Sequence, residues 1–199
     1  MTKSDLMSCN VGQYINDLIV SSGCSQAEVA RRMHIPRQLL SYVICGKREI
    51  SLQLAMKLES YFSLPDGELM KMQAEQAVRH RKKSIRQHLC DQLIARNAFW
   101  SYDVKSPDDI PDEELIEKTF TILDMDDIAL MFEIFPLKFI RKVWQERMAI
   151  QGDYMRMLNI MIAMYYFGIK QPEKYLSRLE HRHIRNILKE SEYASGINC

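Results

Sequence analysis

Ser25-Gln26-Ala27-Glu28-Val29-Ala30-Arg31-Arg32-Met33-His34-Ile35-Pro36-Arg37-Gln38-Leu39-Leu40-Ser41-Tyr42-Val43-Ile44-Cys45-Gly46-Lys47-Arg48 is the stretch whose reading decides the fold. Ser25 and Glu28 have the S-x-x-E spacing of a capping box, in which the hydroxyl and the carboxylate each satisfy an orphan backbone NH, so a helix is expected to start here. Val29, Ala30 and Met33 mark its apolar face. Ile35-Pro36 interrupts it, because proline is favoured at the first position of a new helix and biases the residue before it away from the α region. The second helix carries Leu39, Leu40 and Val43 inward and leaves Arg37, Gln38, Ser41 and Tyr42 outside, until Gly46 supplies a terminator able to take positive φ.

Outward from this pair the spacing stays helical. Val11, Tyr14, Ile15, Leu18 and Ile19 predict an amphipathic helix over Val11 to Ser21, ended by Ser21-Ser22-Gly23. Ser51 is expected to cap a fourth helix with Leu54, Ala55, Leu58 and Phe62 inside, and Asp66 a fifth that runs toward Val78. Residues 1–78 then make one five-helix domain, and Arg79-His80-Arg81-Lys82-Lys83-Ser84-Ile85-Arg86 opens a basic helical linker over 79–98. That cluster either neutralises phosphates or is a solvated helical face. From 99 to 199 a second domain is expected. It starts at the apolar Ala98-Phe99-Trp100-Ser101-Tyr102 and the acidic loop Pro107 to Pro111. Helices follow over Asp112–Leu123, over Met125–Phe135, after Pro136, after Asp153 as a cap, and after Gln171-Pro172 with Tyr175, Leu179, Ile184, Ile187 and Leu188. Residues 1–10 form a polar start. No alternating pattern of useful length occurs, so the fold class is all-α with about ten helices.

The 199 residues carry a net charge of +1 that hides an asymmetry. Residues 1–95 hold 13 Lys and Arg against 9 Asp and Glu, and residues 96–199 hold 14 against 17. The five cysteines are odd in number and widely spaced, which favours reduced thiols and the cytoplasm over a disulfide framework or structural zinc. No signal-peptide order stands at the start, and the longest apolar run, Met155 to Phe167, is broken by Arg156 and Asn159, so no membrane contact is expected.

Two short helices, one tight turn and long polar side chains on the outer face of the second describe a helix-turn-helix DNA reader. Arg37 and Gln38 stand where guanine and adenine edges would be met in the major groove, with Ser41 and Tyr42 one turn on. Gln26, at the start of the preceding helix, can hold a phosphate, and Lys47 and Arg48 can clamp another. Each alone reads as a solvated polar residue; their joint placement favours DNA.

Gln26, Glu28, Ala30, Ile35, Ser41, Gly46-Lys47-Arg48 and Ile50-Ser51 resemble the Xre/Cro-like helix-turn-helix family. Leu54-Ala55-Met56-Lys57-Leu58-Glu59 to Leu64-Pro65, then Leu69-Met70-Lys71-Met72-Gln73, is similar to its HigA antitoxin branch, and the resemblance covers residues 11–78. It implies a lambda-repressor-like domain with Gln26, Arg37, Gln38, Ser41 and Tyr42 facing double-stranded DNA. It also implies a homodimer on a palindromic operator, with a cognate toxin as a further partner. Two positions depart from the pattern: His34 stands in place of the turn glycine, and Cys45 in place of the asparagine before Gly46. Phe99 to Asp103, Asp126 to Trp144 and Tyr165 to Ile169 faintly resemble a helical domain found beside nucleotidyltransferase-type toxins. That would make the second half a surface for a partner protein; a dimerisation or effector domain is the other reading.

No catalytic residue, metal site or cofactor is expected. Asp124, Asp126 and Asp127 fit a helix start, where the dipole favours carboxylates. His181 and His183 are two apart and point to different faces, and His88 and Cys90 fail likewise as ligands. Met155, Met157, Met161, Met164, Tyr165 and Tyr166 are expected to pack in the core, with a partner groove as the alternative. The sequence thus points to a non-enzymatic transcriptional repressor, the antitoxin of a toxin-antitoxin operon. The rival reading is an interaction module tethered by its first domain.

Overall fold

The computed structural model describes residues 10–99 and 106–196, with side chains described as far as Lys189. The polar start and the apolar Trp100-Ser101-Tyr102 of the sequence reading lie outside these residues. Among the described residues there are ten α-helices and no strand. The chain divides between Arg81 and Lys82 into two compact units.

The first unit holds α1 (Val11–Ser21), α2 (Gln26–Arg32), α3 (Arg37–Ile44), α4 (Leu52–Phe62) and the start of α5 (Glu68–Ala95). Asn10 caps α1 by accepting from the Gly12 NH at 2.9 Å, and Ser51 caps α4 by accepting from the Leu54 NH at 3.3 Å. The core is the shared apolar face of these helices: Ile15, Ile19, Val29, Leu40, Leu58 and Leu69 are all at most 2% exposed. Each such side chain contributes about 1.5–3 kcal/mol by leaving water.

The start of α5 is built differently from the expectation. Asp66 does not supply the cap. Glu59, only 2% exposed, accepts from the Gly67 NH with Oε2 at 3.0 Å and from the Leu69 NH with Oε1 at 2.9 Å. A carboxylate at a helix N-terminus satisfies orphan NH groups and meets the positive end of the dipole, which is why an acidic side chain is stable inside this core.

Helix α5 does not stop near Val78. It runs for 28 residues, because no glycine or proline interrupts 68–95 and its Lys, Arg, Gln and Glu are good helix formers. The 79–98 stretch, expected as a separate basic helical linker, is the continuation of α5 as far as Ala95. Arg79 through Ser84 are exposed, but Ile85, Leu89, Cys90 and Leu93 are buried in the core of the second unit.

That unit continues with α6 (Asp112–Ile122), α7 (Met125–Ile134), α8 (Leu137–Val143), α9 (Arg156–Tyr165) and α10 (Pro172–Gly196). Helix α8 runs on into a π-helical turn, Trp144–Met148, which swings the fully buried Trp144 inward. Its indole Nε1 donates to Asn159 Oδ1 at 2.8 Å, and Asn159 Nδ2 donates to the Met148 carbonyl at 2.9 Å, so the buried polar atoms of this corner satisfy one another. Asp153, expected to cap α9, lies inside a 3₁₀ turn, Gly152–Met155, and α9 starts without a side-chain cap.

The core expectation fails for four of its six residues, while Tyr166 packs against the core and Met155 is partly buried. Met157, Met161, Met164 and Tyr165 are 73%, 61%, 57% and 72% exposed; α9 buries Asn159, Ile162 and Ala163 instead. The helix is apolar on two faces, and periodicity alone does not choose between them. Ile184 and Ile187 of α10 are likewise half exposed.

Two outcomes test this fold. Glu59→Ala should lower the stability of the first unit by about 2–4 kcal/mol, seen as a lower urea midpoint, with Glu59→Gln losing less because it keeps one acceptor. An unchanged midpoint would remove Glu59 as the cap. Burial pushes the Cys90 thiol up to about 11, against an opposing effect of Arg86, so its reactive thiolate is scarce at neutral pH. Iodoacetamide should modify the exposed Cys45 in the native chain and reach Cys90 only after unfolding. Equal labelling rates would contradict this packing.

Candidate nucleic-acid interface

The interface is built from α2, its turn and α3. Ser25 Oγ accepts from the Glu28 NH at 3.2 Å, as the capping motif requires. The reciprocal half is replaced: the Glu28 carboxylate turns forward to Arg32 at 2.5 Å, one helical turn on. Tyr61 and then Glu28 hold the Arg32 guanidinium above its ordinary pKa, so this cation is occupied within the fold.

After Met33 the chain turns through His34 at φ 53°. The His34 NH donates to the Arg31 carbonyl at 3.2 Å and the Ile35 NH to the Ala30 carbonyl at 3.0 Å. These two bonds form a Schellman motif, whose geometry needs a left-handed residue at the position His34 occupies. A side chain with a Cβ is strained there, and glycine is not. Pro36 stands one residue before the expected place, as the N-cap of α3.

The end of α3 repeats the device. Gly46 has φ 68°, its NH donates to the Val43 carbonyl at 3.0 Å, and the Lys47 NH donates to the Tyr42 carbonyl at 2.9 Å. Cys45 sits at φ −79°, an ordinary right-handed conformation, so asparagine's tolerance of positive φ is not needed at that position. Beyond the turn, α5 fixes the chain: Gln73 accepts from the Ile50 NH at 2.7 Å and donates to the Ile50 carbonyl at 3.2 Å. At the other side Gly12 lets α1 approach closely, since a Cβ there would meet the Ile44 carbonyl oxygen at 2.4 Å.

Held this way, α3 buries Leu40 and Val43 and exposes Arg37, Gln38 and Tyr42, with Ser41 half-buried. Gln38 Nε2 donates to the Tyr42 hydroxyl at 2.7 Å, a side-chain pair one turn apart. This pair uses one amide hydrogen of Gln38 and leaves its carbonyl oxygen and second amide hydrogen out of that bond. Lys47 and Arg48 are exposed just past the helix. Gln26 differs from the expectation of an open phosphate ligand, being half-buried with its Nε2 donating to Asn16 Oδ1 on α1 at 3.1 Å. Asn16, Gly12 and Gln73 carry no local sequence signal for this role, because their partners are distant in the chain.

Residues 15–69 match the helix-turn-helix family. The matched segment starts within α1 and ends at Leu69 of α5, so it contains the whole α2-turn-α3 arrangement, and it supports a DNA-binding transcription regulator. No curated protein and no solved structure matches the chain.

Elsewhere the carboxylates singled out in the sequence have structural places. Asp124 caps α7 by accepting from the Asp127 NH at 3.3 Å, and Asp127 accepts a 2.8 Å contact from His88. Among the described residues no three His, Cys, Asp or Glu side chains gather as a metal site, and no helix is long and apolar enough to cross a membrane.

Replacing the strained turn residue gives a direct check. His34→Gly should raise stability by about 1 kcal/mol in thermal or urea unfolding, the relief of left-handed strain exceeding glycine's greater unfolded-state freedom. A loss of stability would mean that the His34 side chain makes a compensating contact.

Proposed function

We propose that this chain is a sequence-specific transcriptional repressor of the cytoplasm that binds a palindromic operator as a homodimer. The observation that carries the reading is the exposed strip of Arg37, Gln38 and Tyr42 on a helix stopped by Pro36 and Gly46, inside the segment that matches the helix-turn-helix family. Two modules are needed because one buries too little surface for tight specific binding, and half-sites about one turn apart are the arrangement that a twofold pair reads. The similarity of residues 54–73 to the HigA branch supports an antitoxin that represses its own operon, and the second unit is then the surface offered to a cognate toxin. Asp124 caps α7 and Asp127 pairs with His88, so these two carboxylates have structural places, which supports a role other than catalysis.

One observation favours a second reading. The exposed methionine face of α9 suits protein recognition, and an interaction module tethered by its first unit would use that face alone.

Titration of labelled upstream DNA at several salt concentrations separates the two. The repressor binds specifically with a steep salt slope, and absent or salt-insensitive binding sinks it. Arg37→Ala and Gln38→Ala should each cost about 1–3 kcal/mol on the cognate operator and little on random DNA; equal losses on both would reduce them to phosphate contacts. Co-purification of a toxic neighbouring gene product, with growth rescued by this chain, tests the antitoxin role.

A further inference from the structure

A cleft of about 450 Å³ opens in the first unit at the C-terminal end of α3, where Val43, Gly46 and Arg48 line it. The start of α1 contributes Asn10, and α5 contributes Gln73, Gln76 and His80. A Cβ built on Gly46 would stand 4.0 Å from Asn10 Nδ2, so the start of α1 meets the turn that ends α3.

Three carboxamides line this cleft, and the oxygen of each is taken by a backbone NH. Asn10 Oδ1 accepts from Gly12 at 2.9 Å, Gln76 Oε1 from Val11 at 3.1 Å and Gln73 Oε1 from Ile50 at 2.7 Å. A backbone NH can only donate, so these bonds fix which way each amide is turned. Gln73 Nε2 donates to the Ile50 carbonyl, whereas Asn10 Nδ2 and Gln76 Nε2 have no partner among the described residues. Arg48 and His80 are exposed and form no ion pair among the described residues. A neutral imidazole carries one NH and a protonated one carries two. The lining therefore turns N–H donors inward from three segments of the chain. Its one carboxylate is the exposed Glu49. Such a set fits a ligand that accepts hydrogen bonds and carries a single negative charge.

We propose that the cleft seats a backbone phosphodiester of bound DNA, so that α5 and the start of α1 share the phosphate contact of Arg48. Position favours DNA over a free anion, because the cleft adjoins one end of the helix whose other end carries Arg37 and Gln38. Charge favours it as well. A phosphodiester sets one negative charge against Glu49, and a phosphomonoester sets about two. The inference rests on the DNA-binding reading and adds two elements to its backbone contacts.

Titrations of the full chain on labelled upstream DNA and on a random duplex, each over a salt series, test it. His80→Glu weakens binding to both DNAs alike, about tenfold, and His80→Lys steepens the slope of log K against log salt by about 0.9, the increment of one phosphate. Glu49→Gln tightens both. Lys71→Glu is the control for bulk charge: it lies about two and a half turns before His80, on the opposite face of α5, and removes more positive charge than His80→Glu. Its loss is several-fold smaller. Arg48, Glu49, Lys71 and His80 are all exposed, so the far-UV helical signal stays. Ethylation of one particular operator phosphate blocks the native chain and no longer matters to the Arg48→Gln, His80→Glu double variant. A His80→Glu loss no larger than that of Lys71→Glu, or an ethylation pattern unchanged in the double variant, overturns the phosphate cleft and leaves the DNA-binding reading standing. Inorganic phosphate that displaces DNA from the native chain at constant ionic strength, and not from Arg48→Gln, makes the cleft a free-anion site and overturns the proposal too. A native chain that binds neither DNA overturns both the cleft and the reading beneath it.

Discussion

Helix α3 has eight residues, too few to hold itself, and its orientation depends on one close approach. Gly12 lets the backbone of α1 lie against the carbonyls of Val43 and Ile44 while Leu40 and Val43 sink into the core. Everything on the opposite face follows from that. With the apolar side pinned, Arg37, Gln38 and Tyr42 have one direction in which to point, and the Gln38 amide is steadied by the Tyr42 hydroxyl. A side chain at Gly12 would push α1 off α3 and disturb the exposed strip without touching it.

The two ends of the motif are closed by the same hydrogen-bond pattern in different residues. Gly46 takes the left-handed position at no steric cost, and His34 takes it at some. The α2 turn holds because Ile35 and Pro36 leave the chain no helical continuation and the paired bonds to Arg31 and Ala30 fix the path. Glu59 meets the opposite need at the start of α5: the Schellman turns give NH donors to the last carbonyls of α2 and α3, and the Glu59 carboxylate gives acceptors to the first NH groups of α5, from ten residues away along the chain.

The second unit is organised around Trp144, held by Asn159 and stacked parallel to Tyr175 with ring centres 6.2 Å apart. Its core is filled without the outer methionines of α9 or the isoleucines of α10. In a chain with 13 methionines, this division between filler inside and adaptable surface outside gives the second unit its character. The first unit presents polar long side chains from a rigid short helix; the second presents soft apolar ones.

Local rules determined much of this from sequence. The bounds of α1, the caps Ser25 and Ser51, the stop at Gly46, the inward Leu40 and Val43 and the all-α class follow from spacing, capping chemistry and the conformational freedom of glycine. The strain at His34 was legible only through the family resemblance, which places glycine where His34 stands at φ 53°. Tertiary structure alone decided the rest. Asp66 and Glu59 are both acidic near the start of α5, and which one caps it depends on how α4 packs. The 79–98 stretch reads as charged and exposed until Ile85, Leu89 and Leu93 find a core made by helices far along the chain. Gln26 is polar in sequence, and Asn16 is what occupies its amide. Helix α9 has two apolar faces and α10 a stripe longer than its core, and periodicity states that such faces exist. Which of them is buried is fixed by the neighbours that space provides, and that information is not local.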